Sequence, residues 1–194
     1  MRRGDSSAEH KLDECGAGHC ESETRARADT GETFALPATR LAELIRPAGY
    51  FNLKARRLRS FLDVLVVEFS GDLGRLFTGP AAVVRARLLA IHGVGPETAD
   101  SFLLYAGGHH SFVIDASTKR IFERHGWGKG VNRETKSSGP FSYDALQALC
   151  QSAVNQKRGA ARLDYWQDYH AQLVMVGKHF CRPREARCAE CPLR

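Results

Sequence analysis

Between two stretches with helical spacing the chain reads His92-Gly93-Val94-Gly95-Pro96, and this block restricts the fold more than any other. Two glycines two residues apart permit a tight backbone turn, and proline is tolerated in a helix only within its first turn. Ahead of the block, Ala81 to Ile91 set Val84, Leu88 and Ile91 on one face and Arg85 and Arg87 on the other. Behind it, Thr98, Ala99, Phe102, Leu103 and Tyr105 continue a helix that Gly107 and Gly108 stop. The expectation is helix, tight hairpin, helix. Such a turn presents bare N–H groups of Gly93, Val94 and Gly95 beside a helix N-terminus, a nest suited to one phosphate. It would hold a nucleic-acid backbone without reading base edges.

The rest of the chain also reads as helices. Structure is expected from Phe34, with a capped start at Pro37 and Thr39, then Leu41, Leu44 and Ile45, closed by Pro47 and Gly49. From Asn52 to Phe69, Leu53, Leu58, Leu62, Leu65 and Val66 mark an apolar face, and Lys54, Arg56, Arg57 and Arg59 a basic one. That basic face is either a solvated surface or a contact for phosphates, for which Lys54 and Arg57 are the candidates. Phe112-Val113-Ile114 leads into Asp115, an apt N-cap for a helix carrying Ile121 and Phe122 and ending at Gly126. A polar loop reaches about Pro140, and long helices are expected over Tyr143 to Cys150 and Leu163 to Gly177. No strand pattern or repeat is visible. The fold class is therefore all-α.

Residues 1–33 hold almost no large apolar side chain and are expected to be a disordered extension, because they cannot bury enough surface to offset ordering. Cys15, His19 and Cys20 within that stretch read as incidental. The expected division is 1–33, a helical domain over 34–180, and a cysteine-rich tail over 181–194. A formal charge of +6, from 28 Lys+Arg against 22 Asp+Glu, suits a polyanionic partner. No apolar run approaches the roughly 20 residues that cross a bilayer. A cytoplasmic protein, nucleoid-associated if bacterial, without a membrane partner, is the expectation.

A dinucleotide-binding loop is the main rival for the hairpin, since Asp115 lies 20 residues past Gly95. Against it, Thr98 stands where a third glycine would be, Pro96 lacks an amide where a pyrophosphate would want one, and the preceding segment is helical in pattern.

Taken in order, Ile91-His-Gly-Val-Gly-Pro-Glu-Thr-Ala-Asp100, then Val113-Ile-Asp115, then Cys181, Cys188 and Cys191 spaced Cys-x6-Cys-x2-Cys, resemble the endonuclease III branch of the helix-hairpin-helix DNA glycosylases. The resemblance runs from about Leu36 to Arg194. It implies a two-lobed helical fold and a monomer acting on double-stranded DNA that contains a damaged base. Asp115 matches the family's catalytic aspartate, a carboxylate suited to a sugar that gains positive charge as its N-glycosidic bond breaks. Family members that also nick the strand carry a lysine where this chain has Glu97. A carboxylate cannot form the imine that β-lyase chemistry needs, so Glu97 implies a monofunctional enzyme, nearest to the 3-methyladenine type.

In the family a fourth cysteine, five residues on, completes a [4Fe–4S] cluster. Here that position would be 197, beyond Arg194, so an incomplete cluster loop is expected, with zinc as the alternative. The family's N-terminal segment that helps extrude the base finds no match in residues 1–33; Tyr50, Phe51 or His92 could contact DNA in its place. A catalytically inactive DNA-binding remnant therefore stays open beside the glycosylase.

Overall fold

A computed structural model describes residues 31–127 and 142–194. The readings of Cys15, His19 and Cys20, of nearly all the polar N-terminal stretch, and of the loop ending near Pro140 fall outside them. Residues 31–35 are helical, a little ahead of the expected start at Phe34. Among the described residues no strand forms, and a single isolated bridge pairs Cys181 with Ala186. No helix among them is long and apolar enough to cross a membrane.

The chain divides into two compact units, one running to Leu76 and taking in Ile91–Gly93, the other comprising Phe77–Ala90 and Val94–Arg194.

In the first unit, α1 (Ala38–Leu44) and a 3-10 turn (Arg46–Ala48) lead to α2 (Phe51–Phe69). The backbone of Pro37 sets the start of α1, with no side-chain cap, so Thr39 lies inside the helix. Leu41, Ala42 and Ala55 pack together with Ile45, Phe51 and Leu58 against them. The buried stripe of α2 is Ala55, Leu62 and Leu65, and Leu53, expected inward, is 41% exposed. Arg59, expected on the free basic face, reaches back to the carbonyls of Phe34 (2.6 Å) and Leu36 (3.1 Å) and lies over the Phe34 ring.

After α3 (Leu73–Phe77) the second unit carries α4 (Ala81–Leu89), α5 (Pro96–Tyr105), α6 (Ala116–His125), α7 (Tyr143–Asn155) and α8 (Leu163–His179). Pro96 opens α5 at its first position, where a missing N–H costs nothing. Gly126, in the left-handed region at φ 66°, closes α6. Ser142 caps α7 by accepting from the Ala145 amide at 3.3 Å. Phe112, Val113 and Ile114 are buried in one cluster with Leu104, Ile121, Leu146, Cys150, Val154 and Trp166. Burying each such side chain contributes about 1.5–3 kcal/mol. This apolar segment fixes the position of the residue after it, Asp115.

α6 and α8 approach closely because residue 177 is glycine: a Cβ there would meet the Ser117 Cβ at 2.4 Å. Cys150 is buried, and burial pushes its thiol up to about 12.

Candidate active site and hairpin

In the hairpin, Gly93 takes φ 89°, a conformation that residues with a Cβ rarely adopt. A Cβ on it would also come within 2.4 Å of the Arg57 Cγ, so the stem of Arg57 lies directly against the turn. Gly95 is extended, and its carbonyl accepts the first bond of α5 from the Ala99 amide at 2.9 Å. His92 and Glu97 are exposed. Lys54, the other candidate phosphate contact, is exposed, and its ammonium donates to the Ala48 carbonyl. Tyr50 is 87% exposed and occupies the left-handed region at φ 47° as N-cap of α2, a strained placement for a bulky residue.

Asp115 is the N-cap of α6, as expected, and its Oδ1 accepts from the Thr118 amide at 2.7 Å. Burial works against ionisation of this half-covered carboxyl. The Thr118 amide, the charge of His170 and the Ser117 amide outweigh it and hold Asp115 below the usual carboxylate range. Glu97, in the first turn of α5, shifts the other way: partial burial, and then the negative charge of Asp115, push it up. The two predicted catalytic residues are thus brought within electrostatic reach of each other, with opposite tendencies.

Several residues that sequence reasoning did not single out support this site. Asp100, fully buried on α5, accepts two bonds from Arg85, at 2.9 and 3.0 Å, one from Ser111 Oγ at 2.7 Å and one from the Tyr143 hydroxyl at 2.8 Å. Tyr143 also lies 3.5 Å from the amide of Ile114, next to Asp115. The phenol oxygen of Tyr105 lies 2.7 Å from Nδ1 of His170. The sequence offered only a histidine on an amphipathic helix and an aromatic at a helix end, neither of which has a diagnostic spacing.

Cys181, Cys188 and Cys191 line one hollow, with Arg124, His125, Phe180 and Arg194. Arg124 Nη1 stands 3.3 Å from Cys181 Sγ and donates to the Arg182 carbonyl, its Nη2 donates to the Pro183 carbonyl, and Arg120 Nε donates to the Cys181 carbonyl at 2.6 Å. Two cationic side chains on α6 therefore hold the loop that carries the thiols. No three thiol, imidazole or carboxylate groups among the described residues gather around a single-ion position. Three thiols lining one hollow are thiolate donors of the kind that an iron–sulfur cluster or a zinc ion takes.

No family model matches the chain. A protein of Methanocaldococcus jannaschii named as a DNA repair glycosylase is 39% identical over 156 residues, which cover 80% of this chain and 64% of that protein. Endonuclease III of Bacillus subtilis is 24% identical over 163 residues, covering 82% of this chain and 62% of the enzyme. The chain thus spans less than two thirds of the length of these curated relatives. Among solved structures, a thermostable thymine-DNA glycosylase superposes with a TM-score of 0.61 at 21% identity, over 84% of this chain and 66% of that one. The 3-methyladenine DNA glycosylase of H. pylori gives 0.56 at 23% identity, over 77% of this chain and 66% of that one. The fold is the helical one of these enzymes.

Proposed function

We propose that the chain is a member of the helix-hairpin-helix DNA glycosylases, like the DNA repair glycosylase and endonuclease III it resembles, and that it excises a damaged base from DNA by hydrolysing the N-glycosidic bond. The observation that carries this reading is the placement of two carboxyls after the hairpin, Glu97 in the first turn of the helix that follows it and Asp115 at the head of the next, accepting from the Thr118 amide at 2.7 Å.

In the reaction the C1′–N bond breaks with its electron pair going to the base, and positive charge builds on the sugar. The ionised Asp115 stabilises that charge and takes a proton from the attacking water, whose oxygen forms the new bond to C1′. Glu97, in the first turn of α5, is the candidate to protonate the departing base. Lacking an amine, Glu97 forms no imine, so the reading is a monofunctional enzyme. The amides of Gly93, Val94 and Gly95 are candidates to hold one phosphate, and Arg57, whose stem lies against Gly93, and Lys54 are further candidate phosphate contacts. Extruding a base leaves a gap in the stack that a side chain must fill, and exposed Tyr50 has the size and chemistry to do so.

Cys181, Cys188 and Cys191 are the residues that would hold a [4Fe–4S] cluster, supported by the shared hollow and by Arg124. A bound cluster supplies cross-linking of the C-terminal loop.

The test is incubation with DNA carrying alkylated, oxidised or mismatched bases, followed by borohydride. Free base without a trapped adduct is expected, with 3-methyladenine first among the lesions. A covalent adduct would refute the monofunctional reading. Salt-dependent DNA binding with no base released from any lesion would favour the inactive remnant.

A further inference from the structure

The Tyr143 hydroxyl, at the start of α7, touches the backbone of the residue that precedes each site carboxyl. It lies 3.3 Å from the carbonyl of Pro96, next to Glu97, and 3.5 Å from the amide of Ile114, next to Asp115. Its one proton goes to the buried Asp100 carboxylate, the nearer and stronger acceptor at 2.8 Å. Burial, and then the charge of Asp100, push the proton affinity of the phenol up, so that proton stays in place. The lone pairs of the hydroxyl are left to face the Ile114 N–H.

One turn further along α7, Gln147 Nε2 donates to the Phe112 carbonyl at 2.7 Å. Residues four apart on a helix share a face. One face of α7 therefore takes hold of segment 112–114 at both ends, donating to its first carbonyl and facing its last amide. The segment needs such partners. Phe112, Val113 and Ile114 are buried and belong to neither helix nor strand, so no regular ladder satisfies their backbone groups. Ser111, just before them, is tied to the same Asp100 carboxylate through its hydroxyl at 2.7 Å. Apolar packing keeps water from the segment but has no direction, whereas hydrogen bonds fix its register.

We propose that Tyr143 and Gln147 are positioning residues for Asp115 and Glu97: a clamp on α7 that sets where Asp115 leaves the core and ties that point, through Asp100 and the Pro96 carbonyl, to the first turn of α5. The clamp is a property of the fold; its effect on rate rests on the glycosylase reading. On its other side Asp115 is held by the Thr118 amide, 2.7 Å away, so a shift at Ile114 moves Asp115 and the head of α6 together. Misplacing a reacting group by about 1 Å can cost on the order of 100-fold in rate.

Two measurements on the full chain test this. Tyr143→Phe keeps the ring and removes the hydroxyl, and Gln147→Leu removes the donor. Val154→Ala, near the far end of the same helix and in the same core, is the control, since it removes buried volume without touching the clamp. By NMR hydrogen exchange, the amides of 112–115 in both clamp variants should exchange about fivefold or more faster relative to those of α8. Val154→Ala should leave that ratio unchanged. In single-turnover base release from alkylated duplex, the clamp variants should lose about tenfold in rate with DNA affinity unchanged, and Val154→Ala should keep the parent's rate well below its melting point. Should Tyr143→Phe fail to fold, Gln147→Leu, at a partly exposed position, carries both measurements. Exchange that rises uniformly or not at all overturns the clamp. Clamp variants as fast as the parent, or a Val154→Ala loss equal to theirs, overturn the positioning role. If the parent releases no base, the glycosylase reading fails by itself, and the exchange ratio alone decides for or against the clamp.

Discussion

Arg85 grips Asp100 through two hydrogen bonds, Nε to Oδ1 at 2.9 Å and Nη2 to Oδ2 at 3.0 Å, and so ties the helix before the hairpin to the helix after it. Asp100 is fully buried, and Ser111 and Tyr143 fill its remaining acceptor positions. Breaking a buried pair strands the surviving charge, which costs more than the pair itself contributes. Asp100→Ala should destabilise the fold by about 3 kcal/mol, read from the urea midpoint. It should also lower activity, since Tyr143 bridges Asp100 to the backbone beside Asp115.

The two site carboxyls give opposite signs in stability against pH. Asp115 is depressed in the fold, so its contribution is present above the ordinary carboxylate range and lost as pH falls through its folded value. Asp115→Asn should melt lower than the parent at neutral pH, with the gap closing in acid. Glu97 is raised, so ionising it costs stability as pH climbs through the ordinary range to its folded value. Glu97→Gln should melt at or above the parent at neutral pH and match it in acid. Melting curves at several pH values check both.

At the hairpin, Gly93→Ala meets both a left-handed backbone, at φ 89°, and the stem of Arg57 at 2.4 Å. DNA affinity should fall about tenfold or more, which at 1.4 kcal/mol per decade is the scale of one residue forced into that conformation. Arg57→Ala should weaken binding to all sequences alike and reduce the salt slope by about 0.9, the loss of one phosphate contact. Titrations at several salt concentrations separate the two variants.

The close approach of α6 and α8 offers a further site for mutation. Gly177→Ala drives a methyl into Ser117 and should cost about 1–3 kcal/mol. Adding Ser117→Gly should recover part of that loss, by denaturant unfolding of the single and double variants.

What the sequence revealed about this molecule follows the range of the forces involved. Gly93, Gly95, Pro96 and the Asp115 cap are set by local backbone chemistry, so their spacing could be read directly. The three thiols were legible as a pattern, and the fold brings them to one hollow. Arg85 with Asp100, Tyr105 with His170, and Ser117 with Gly177 were not legible, because each joins residues from different helices by packing that no local pattern encodes. The basic face of α2 misled in part. Arg59 is spent on the backbone of the preceding segment, and Leu53 turns outward where Ala55 packs in, because close contact with α1 favours the smaller side chain.

The rate of base release from alkylated duplex DNA, measured under single turnover for the parent and for Asp115→Asn, tests the central claim most directly. Free base from the parent, with a loss of about 10³-fold in the variant and unchanged DNA affinity, is the predicted result. A parent that binds the duplex yet releases nothing, or a variant as fast as the parent, would contradict it.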